Sequence, residues 1–255
     1  MDPMDLDINP ILRKWPYKPG QVTARRIRGE DGREKIQLRL DLGLLQMESS
    51  GRPDGERPHG HESLLAWHEY RLQRHVEEHG GASGFALDEA DCELLRAEGV
   101  MYYHRYLAEF VLGDYAGVER DTMRNLRLTD FAKEHAREES DRFVLEQYRP
   151  YVLMMCTRAR AHVALEANRP KAALAVARKG IEQIEAFHAS FGVGAASAKS
   201  SELAVLRALE KEIESQIPVD PIQQLREQLA EAVASEQYER AAALRDQLQD
   251  LTGGT

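Results

Sequence analysis

The sequence predicts a mainly α protein with a small β-containing module at its start. Three observations carry that prediction. Ala, Leu, Glu and Arg dominate while aromatic residues make up only 7%, a mix that favours helix over sheet. From His61 onward, apolar residues recur at spacings of three and four, the period of an amphipathic helix. Proline and glycine crowd the first 60 residues instead, where they interrupt any long helix and frame a run of alternating residues.

That alternating run predicts a hairpin. Val22 to Arg28 is β-permissive, and Gly29-Glu30-Asp31-Gly32 reads as a turn. Ile36, Leu38 and Leu40 then alternate with Lys35, Gln37 and Arg39, which puts the apolar set on one face and the charged set toward solvent. Leu42, Leu44, Leu45 and Met47 extend as a further strand. A lone hairpin is marginal in water, so this module should dock on the helical part of the chain. Helices are expected over 61–79, 88–112, 115–136, 141–167, 170–190, 198–217, 222–234 and 238–251. Loops at Gly80–Gly84, Gly113-Asp114, Asn168-Arg169 and Gly192-Val193-Gly194 separate several of them. The chain thus divides into a β-containing module at 1–60, a helical body at 61–217 and a C-terminal helical hairpin at 221–251.

Within the body, one unit occurs twice. Leu112-Gly113-Asp114-Tyr115 with Val118, Thr122 and Leu126 can be laid on Ala167-Asn168-Arg169-Pro170 with Ala173, Ala177 and Ile181, at an offset of 55 residues. In each, a long helix meets a tight turn, and small or apolar residues at i, i+4 and i+8 keep one face of the next helix against its partner. This resembles tetratricopeptide helix pairs, although those recur at about 34 residues.

The C-terminal segment carries the most specific pattern. Asp220 can cap a helix that begins at Pro221, with Gln223 as the other half of a capping box. Ile222, Leu225, Leu229, Ala232 and Val233 form one apolar stripe. After the turn at Ser235-Glu236-Gln237, Tyr238, Ala241, Ala242, Leu244, Leu248 and Leu251 form a second. Two such stripes make an antiparallel helical hairpin, with Ala242 expected at the closest approach of the helices. A hairpin of this size cannot bury enough apolar surface to stand alone, and a second hairpin completing a four-helix bundle would supply the missing surface.

The run Leu225…Leu229…Ala232-Val233-x-x-Glu236-x-Tyr238-Glu239-x-Ala241-Ala242-x-Leu244-Arg245-Asp246-x-Leu248-x-x-Leu251 resembles the UVR motif. In that family it is the hairpin through which the bacterial excision-nuclease subunits UvrB and UvrC touch, and it also occurs in McsA and in ClpC-type unfoldases. The resemblance implies association through Leu225, Leu229, Ala232, Tyr238, Ala241, Ala242, Arg245, Leu248 and Leu251, with another UVR-motif protein or a second copy as partner. It implies no reaction. Residues 31–47 and 51–55 are also similar to the start of a group of bacterial UVR-motif proteins to which no activity is assigned.

Charge and chemistry narrow the function classes. The net charge is −9, while the first 60 residues hold 11 basic and 10 acidic side chains, so any phosphate-binding surface belongs near the start. Arg25, Arg26, Arg28, Arg33, Lys35 and Arg39 are the candidates for nucleic-acid contact; a solvated face with charge-guarded edges is the plainer reading. The C-terminal hairpin has three Arg against six acids and should not grip phosphates. His61, His68, His75 and His79 fall within about 40° on a helix, and His75-Val76-Glu77-Glu78-His79 spells an inverted zinc-peptidase pattern. Gly80-Gly81 places that pattern on a last helical turn, and no third ligand stands out, so no metal is expected. Two cysteines exclude a disulfide scaffold; acids beside Cys92 should blunt its thiol, and Cys156 should be core. Phosphate-loop, dinucleotide and nucleophile-elbow motifs are missing, so no cofactor and no catalysis are expected. The longest apolar run, Tyr151 to Cys156, is far short of a membrane span, and the acidic start lacks the features of a signal peptide, which predicts a cytoplasmic protein. The function expected is a non-catalytic adaptor, with an excision-repair accessory factor that touches nucleic acid second and a zinc hydrolase third.

Overall fold

The computed structural model describes residues 7–191, 200–217 and 221–252. The expected loop at Gly192-Val193-Gly194, the Pro218-Val219-Asp220 linker with its capping Asp220, and the side chain of Gln223 lie outside what is described. Strands β1 (Ala24–Arg28), β2 (Glu34–Arg39) and β3 (Leu44–Glu48) form an antiparallel sheet in chain order. The predicted turn joins the first two: Gly29 N–H donates to the Arg33 carbonyl at 2.8 Å, and Gly32 takes φ +75°, which glycine adopts without steric cost.

Ile36 and Leu38 are fully buried, with Met47 beside them, against Ala108 and Leu112. The module therefore docks on a helix of the body, α3 (Glu89–Val111), as a sheet of this size requires. Two expectations are corrected. Leu40 lies past the end of β2 and is 37% exposed. The second face of β2 is not solvated: Lys35, Gln37 and Arg39 are buried as well. The segment around a short helix, α1 (Asn9–Arg13), supplies part of the cover. Arg39 Nε donates to the Trp15 carbonyl at 2.8 Å, and the Arg25 guanidinium sits 4.3 Å over the Trp15 ring. Arg25 and Gln37 also bond across the register at 2.8 Å, and Gln37 bonds Gln46 at 2.8 Å.

The helical body follows the predicted pattern closely. Beyond α3 it contains α2 (Leu64–His79), α4 (Tyr115–His135), α5 (Glu139–Glu146), α6 (Arg149–Glu166), α7 (Pro170–Ser190) and α8 (Ser201–Gln216). Ser63 and Asp88 cap α2 and α3, and Gly80 ends α2 in the left-handed conformation at φ +77°. Neighbours pack in chain order, α3 on α4 and α6 on α7, with α4 also on α6. Arg178–Glu210 at 2.8 Å and Arg207–Glu185 at 2.7 Å link α7 to α8. The helix expected over 141–167 is broken into α5 and α6. Pro150 is the reason: it has no N–H for the Glu146 carbonyl, and its ring would clash there in a continuous helix.

The repeated unit has a definite geometric form. At Leu112-Gly113-Asp114, Gly113 has φ +74°, its N–H meets Phe110 O, and Asp114 N–H meets Glu109 O at 2.9 Å. At Ala167-Asn168-Arg169, Asn168 has φ +54°, its N–H meets Leu165 O, and Arg169 N–H meets Ala164 O at 2.9 Å. Both are Schellman turns, and in each the next helix starts one residue later. Val118 and Ala173, five residues past the left-handed position, are both fully buried.

Buried charge ties these pieces together. Glu98 on α3 accepts the Leu64 and Leu65 N–H groups at the start of α2 and pairs with Arg124 of α4. Arg105 on α3 meets Asp121 of α4 through Nε at 2.6 Å and Nη2 at 2.8 Å, while its Nη1 holds the carbonyls of Glu48, the last residue of β3, and of Gly51 beyond it. Glu109 takes a bond from Arg120 at 2.6 Å, and its carboxylate lies where a Cβ on Gly117 would come within 2.6 Å. Burial, then the charge of Asp121, push the Glu109 carboxyl up to about 8 despite Arg120 and Arg105. A carboxyl whose folded value is raised binds more protons folded than unfolded. Its contribution to stability is therefore lost as pH rises through the window from about 4.5 to 8. Melting curves across that window should show the wild type falling relative to Glu109→Gln; parallel curves would contradict the assignment.

Contacts divide the chain into two units, Met1–Glu210 and Lys211–Thr255, with the division inside α8. The second contains the C-terminal hairpin of α9 (Pro221–Ala234) and α10 (Tyr238–Thr252).

Candidate protein-interaction site

The hairpin is joined by the same turn as the two pairs in the body. Glu236 takes the left-handed position at φ +57°, its N–H meets Val233 O at 3.1 Å, and Gln237 N–H meets Ala232 O at 2.8 Å. Helix α10 again starts one residue later, and Ala241, five past Glu236, is buried. A non-glycine residue at this position costs about 1–2 kcal/mol, so the two helices are held by their contact rather than by the turn.

That contact is a narrow seam. Ala232, Ala241 and Leu244 are buried in it, and Leu225 and Leu229 pack against them. Leu248 is half-buried and Leu251 is exposed at the end of α10. Ala242, expected at the closest approach, faces solvent; Ala241 occupies the seam instead. Adjacent helical residues point about 100° apart, so a narrow seam can take only one of the two alanines.

The residues the seam leaves out form their own stripe. Tyr238, Ala242 and Arg245 are exposed, Tyr238 at 69%, and at 100° per residue they fall within about 60° of one another beside the seam. Val233 on α9 is exposed too. An aromatic ring and a planar cation are among the side chains enriched where one protein surface meets another, and the small Ala242 between them leaves room for a partner helix to approach.

The other candidates resolve differently. Each of the six basic side chains of the sheet is engaged internally. Arg26 pairs with Glu34 at 2.5 Å and Asp114 at 2.6 Å, and Arg33 with Asp31 at 2.8 Å. Lys35 pairs with Asp31 at 2.8 Å and with Glu48. Arg28 donates to the Gly32 carbonyl at 3.0 Å, and Arg25 and Arg39 bond Gln37 and the Trp15 carbonyl. Hydrogen bonds from Lys35 and the Arg33 backbone hold the Asp31 carboxyl well below the usual carboxylate range.

The histidine stripe is dispersed. His61 lies against Trp67 and Tyr70, with ring centroids 5.2 and 5.0 Å away. His68 is buried beside Arg71 and Asp91, and burial lowers its pKa. His75 and His79 stack on each other at 4.2 Å, with His75 Nε2 on the Ser83 carbonyl and His79 Nδ1 on the His75 carbonyl. Among the described residues, no group of three His, Cys, Asp or Glu is placed to hold a metal ion. Both cysteines are free and buried; burial, then nearby aspartates, push Cys92 up to about 11, and burial raises Cys156. No described helix is long and apolar enough to cross a membrane.

Comparison with known families agrees with the hairpin's geometry. The UvrB/uvrC (UVR) motif model matches residues 220–251, so the C-terminal hairpin is a UVR motif, a known protein–protein interaction hairpin. No curated protein and no solved structure matches the chain.

Proposed function

We propose that this chain is a cytoplasmic, non-catalytic adaptor whose C-terminal hairpin pairs with a second UVR hairpin, on another protein or on a second copy. The helical body, tetratricopeptide-like in its turns, carries the hairpin and the docked sheet. The exposed stripe of Tyr238, Ala242 and Arg245 carries the reading: these residues belong to the motif, yet the hairpin's own seam does not use them. A two-helix unit with so narrow a seam gains stability when a partner covers its outer face. An excision-repair subunit is the partner class that the motif's description suggests. Phosphate contact by the sheet is disfavoured, because Arg26, Arg33, Lys35 and Arg39 would first have to leave their present partners.

The test compares the full chain with one ended at Ile217, probed for self-association by light scattering and for capture of a second UVR-motif protein. The truncated chain should keep its helical signal and cooperative melt while losing both associations. Unchanged association, or a truncated chain that no longer folds, would rule the adaptor reading out.

A further inference from the structure

A cavity of about 550 Å³ opens between α3, α4, the α5–α6 break and the start of α8. Its volume lies in the range of small-molecule sites. Leu128, Leu145, Val152 and the buried ring of Tyr106 form its apolar lining, and Tyr103, Tyr148 and Tyr151 add further aromatic surface. The break at Pro150 creates the separate start of α6 at which Tyr148 and Tyr151 stand.

Two features mark the cavity as more than a packing gap. The first is Gly99, in the middle of α3. Among the described helical glycines, Gly117 is required by the Glu109 carboxylate and Gly180 by the Thr157 side chain, which a Cβ would overlap. A Cβ on Gly99 would meet only Leu128 Cδ1 at 3.9 Å and Asn125 Oδ1 at 4.0 Å, ordinary contacts. Packing does not demand a glycine there, and a glycine inside a helix is destabilising relative to alanine; what it provides is open space in the cavity.

The second is Arg96. It lines the cavity half-buried, and no carboxylate among the described residues lies within ion-pair distance of it. The cavity's other charged lining residue, Glu202, accepts a hydrogen bond from Ser200 Oγ at 2.9 Å in the first turn of α8 and keeps its negative charge beyond ion-pair distance of Arg96, so an anion is favoured only on the Arg96 side. An apolar, tyrosine-walled cavity with one available guanidinium suits a ligand with an aromatic or branched apolar body and a single carboxylate. We propose that this cavity binds such a carboxylate, either a free small acid or the C-terminal residue of a peptide, with Arg96 as its anion anchor.

The experiment titrates the full chain with N-acetylphenylalanine, with its amide, and with a short peptide ending in phenylalanine, followed by calorimetry and tyrosine-ring NMR. The acid should bind saturably and its amide at least about tenfold more weakly, because a charged hydrogen bond is lost. Arg96→Gln should erase the preference for acid over amide, and Gly99→Leu should abolish binding of both by filling the space. Tighter binding of the peptide would identify chain ends as the source; binding of the free acid with exclusion of the peptide would identify a small metabolite. Absence of saturable binding to the wild type, or equal binding of acid and amide, would overturn the proposal. The wild-type comparison stands by itself if either variant fails to fold.

Discussion

Arg105→Met should lower the stability of the first unit by about 3–5 kcal/mol, the range for removing one partner of a buried ion pair. Arg105 is almost fully buried, and its guanidinium makes two bonds to Asp121 and two to backbone carbonyls at and just past the end of β3. Methionine fills most of the volume but leaves those carbonyls without their donor and Asp121 with Arg120 alone, through its 2.8 Å bond. That surviving contact should hold the cost toward the lower end. For a unit of this size the loss corresponds to a fall in Tm of roughly 6–20 °C. The double variant Arg105→Met/Asp121→Leu should recover part of it, since the half-compensated carboxylate is gone while the two carbonyls still lack their donor. A single variant that melts with the wild type would mean that the sheet and the helices are not tied through this guanidinium.

This clamp was not legible in the sequence. Arg105 and Asp121 lie 16 residues apart on different helices, and nothing in either helix's periodicity marks them as partners. The buried second face of β2 was hidden for a similar reason. Alternation distinguishes apolar from polar residues, but Lys35 and Arg39 are buried through Asp31, Glu48 and the Trp15 carbonyl, which are specific contacts and not a pattern. The helix boundaries were legible where a local signal exists: Gly80 ends α2, and Gly113 and Asn168 sit at the left-handed turn positions. The break before α6 carried its own signal in Pro150, which the apolar run around it masked. Arg96 and Gly99 became visible as a pair only once the cavity was in place. The UVR hairpin was the most legible element, because its motif specifies a compact local unit; the choice between Ala241 and Ala242 needed the helix phase.

That phase yields the second large effect. Ala241→Glu places a carboxylate in the seam beside Ala232 and Leu244 and should unfold the hairpin, at a cost of several kcal/mol that a unit of two helices cannot absorb. Ala242→Glu puts the same charge on the exposed stripe between Tyr238 and Arg245, where the hairpin itself should tolerate it. The two substitutions are chemically identical and adjacent, so they separate folding from association.

The most direct measurement is the mass of the full chain in solution, alone and mixed with a second UVR-motif protein, for the wild type and Ala242→Glu, with helical content recorded by circular dichroism. The wild type should associate with itself or with the second protein, and Ala242→Glu should keep its helical signal and lose that association. A variant that associates as the wild type does, with its hairpin equally folded, would show that the Tyr238–Ala242–Arg245 stripe is not where partners bind.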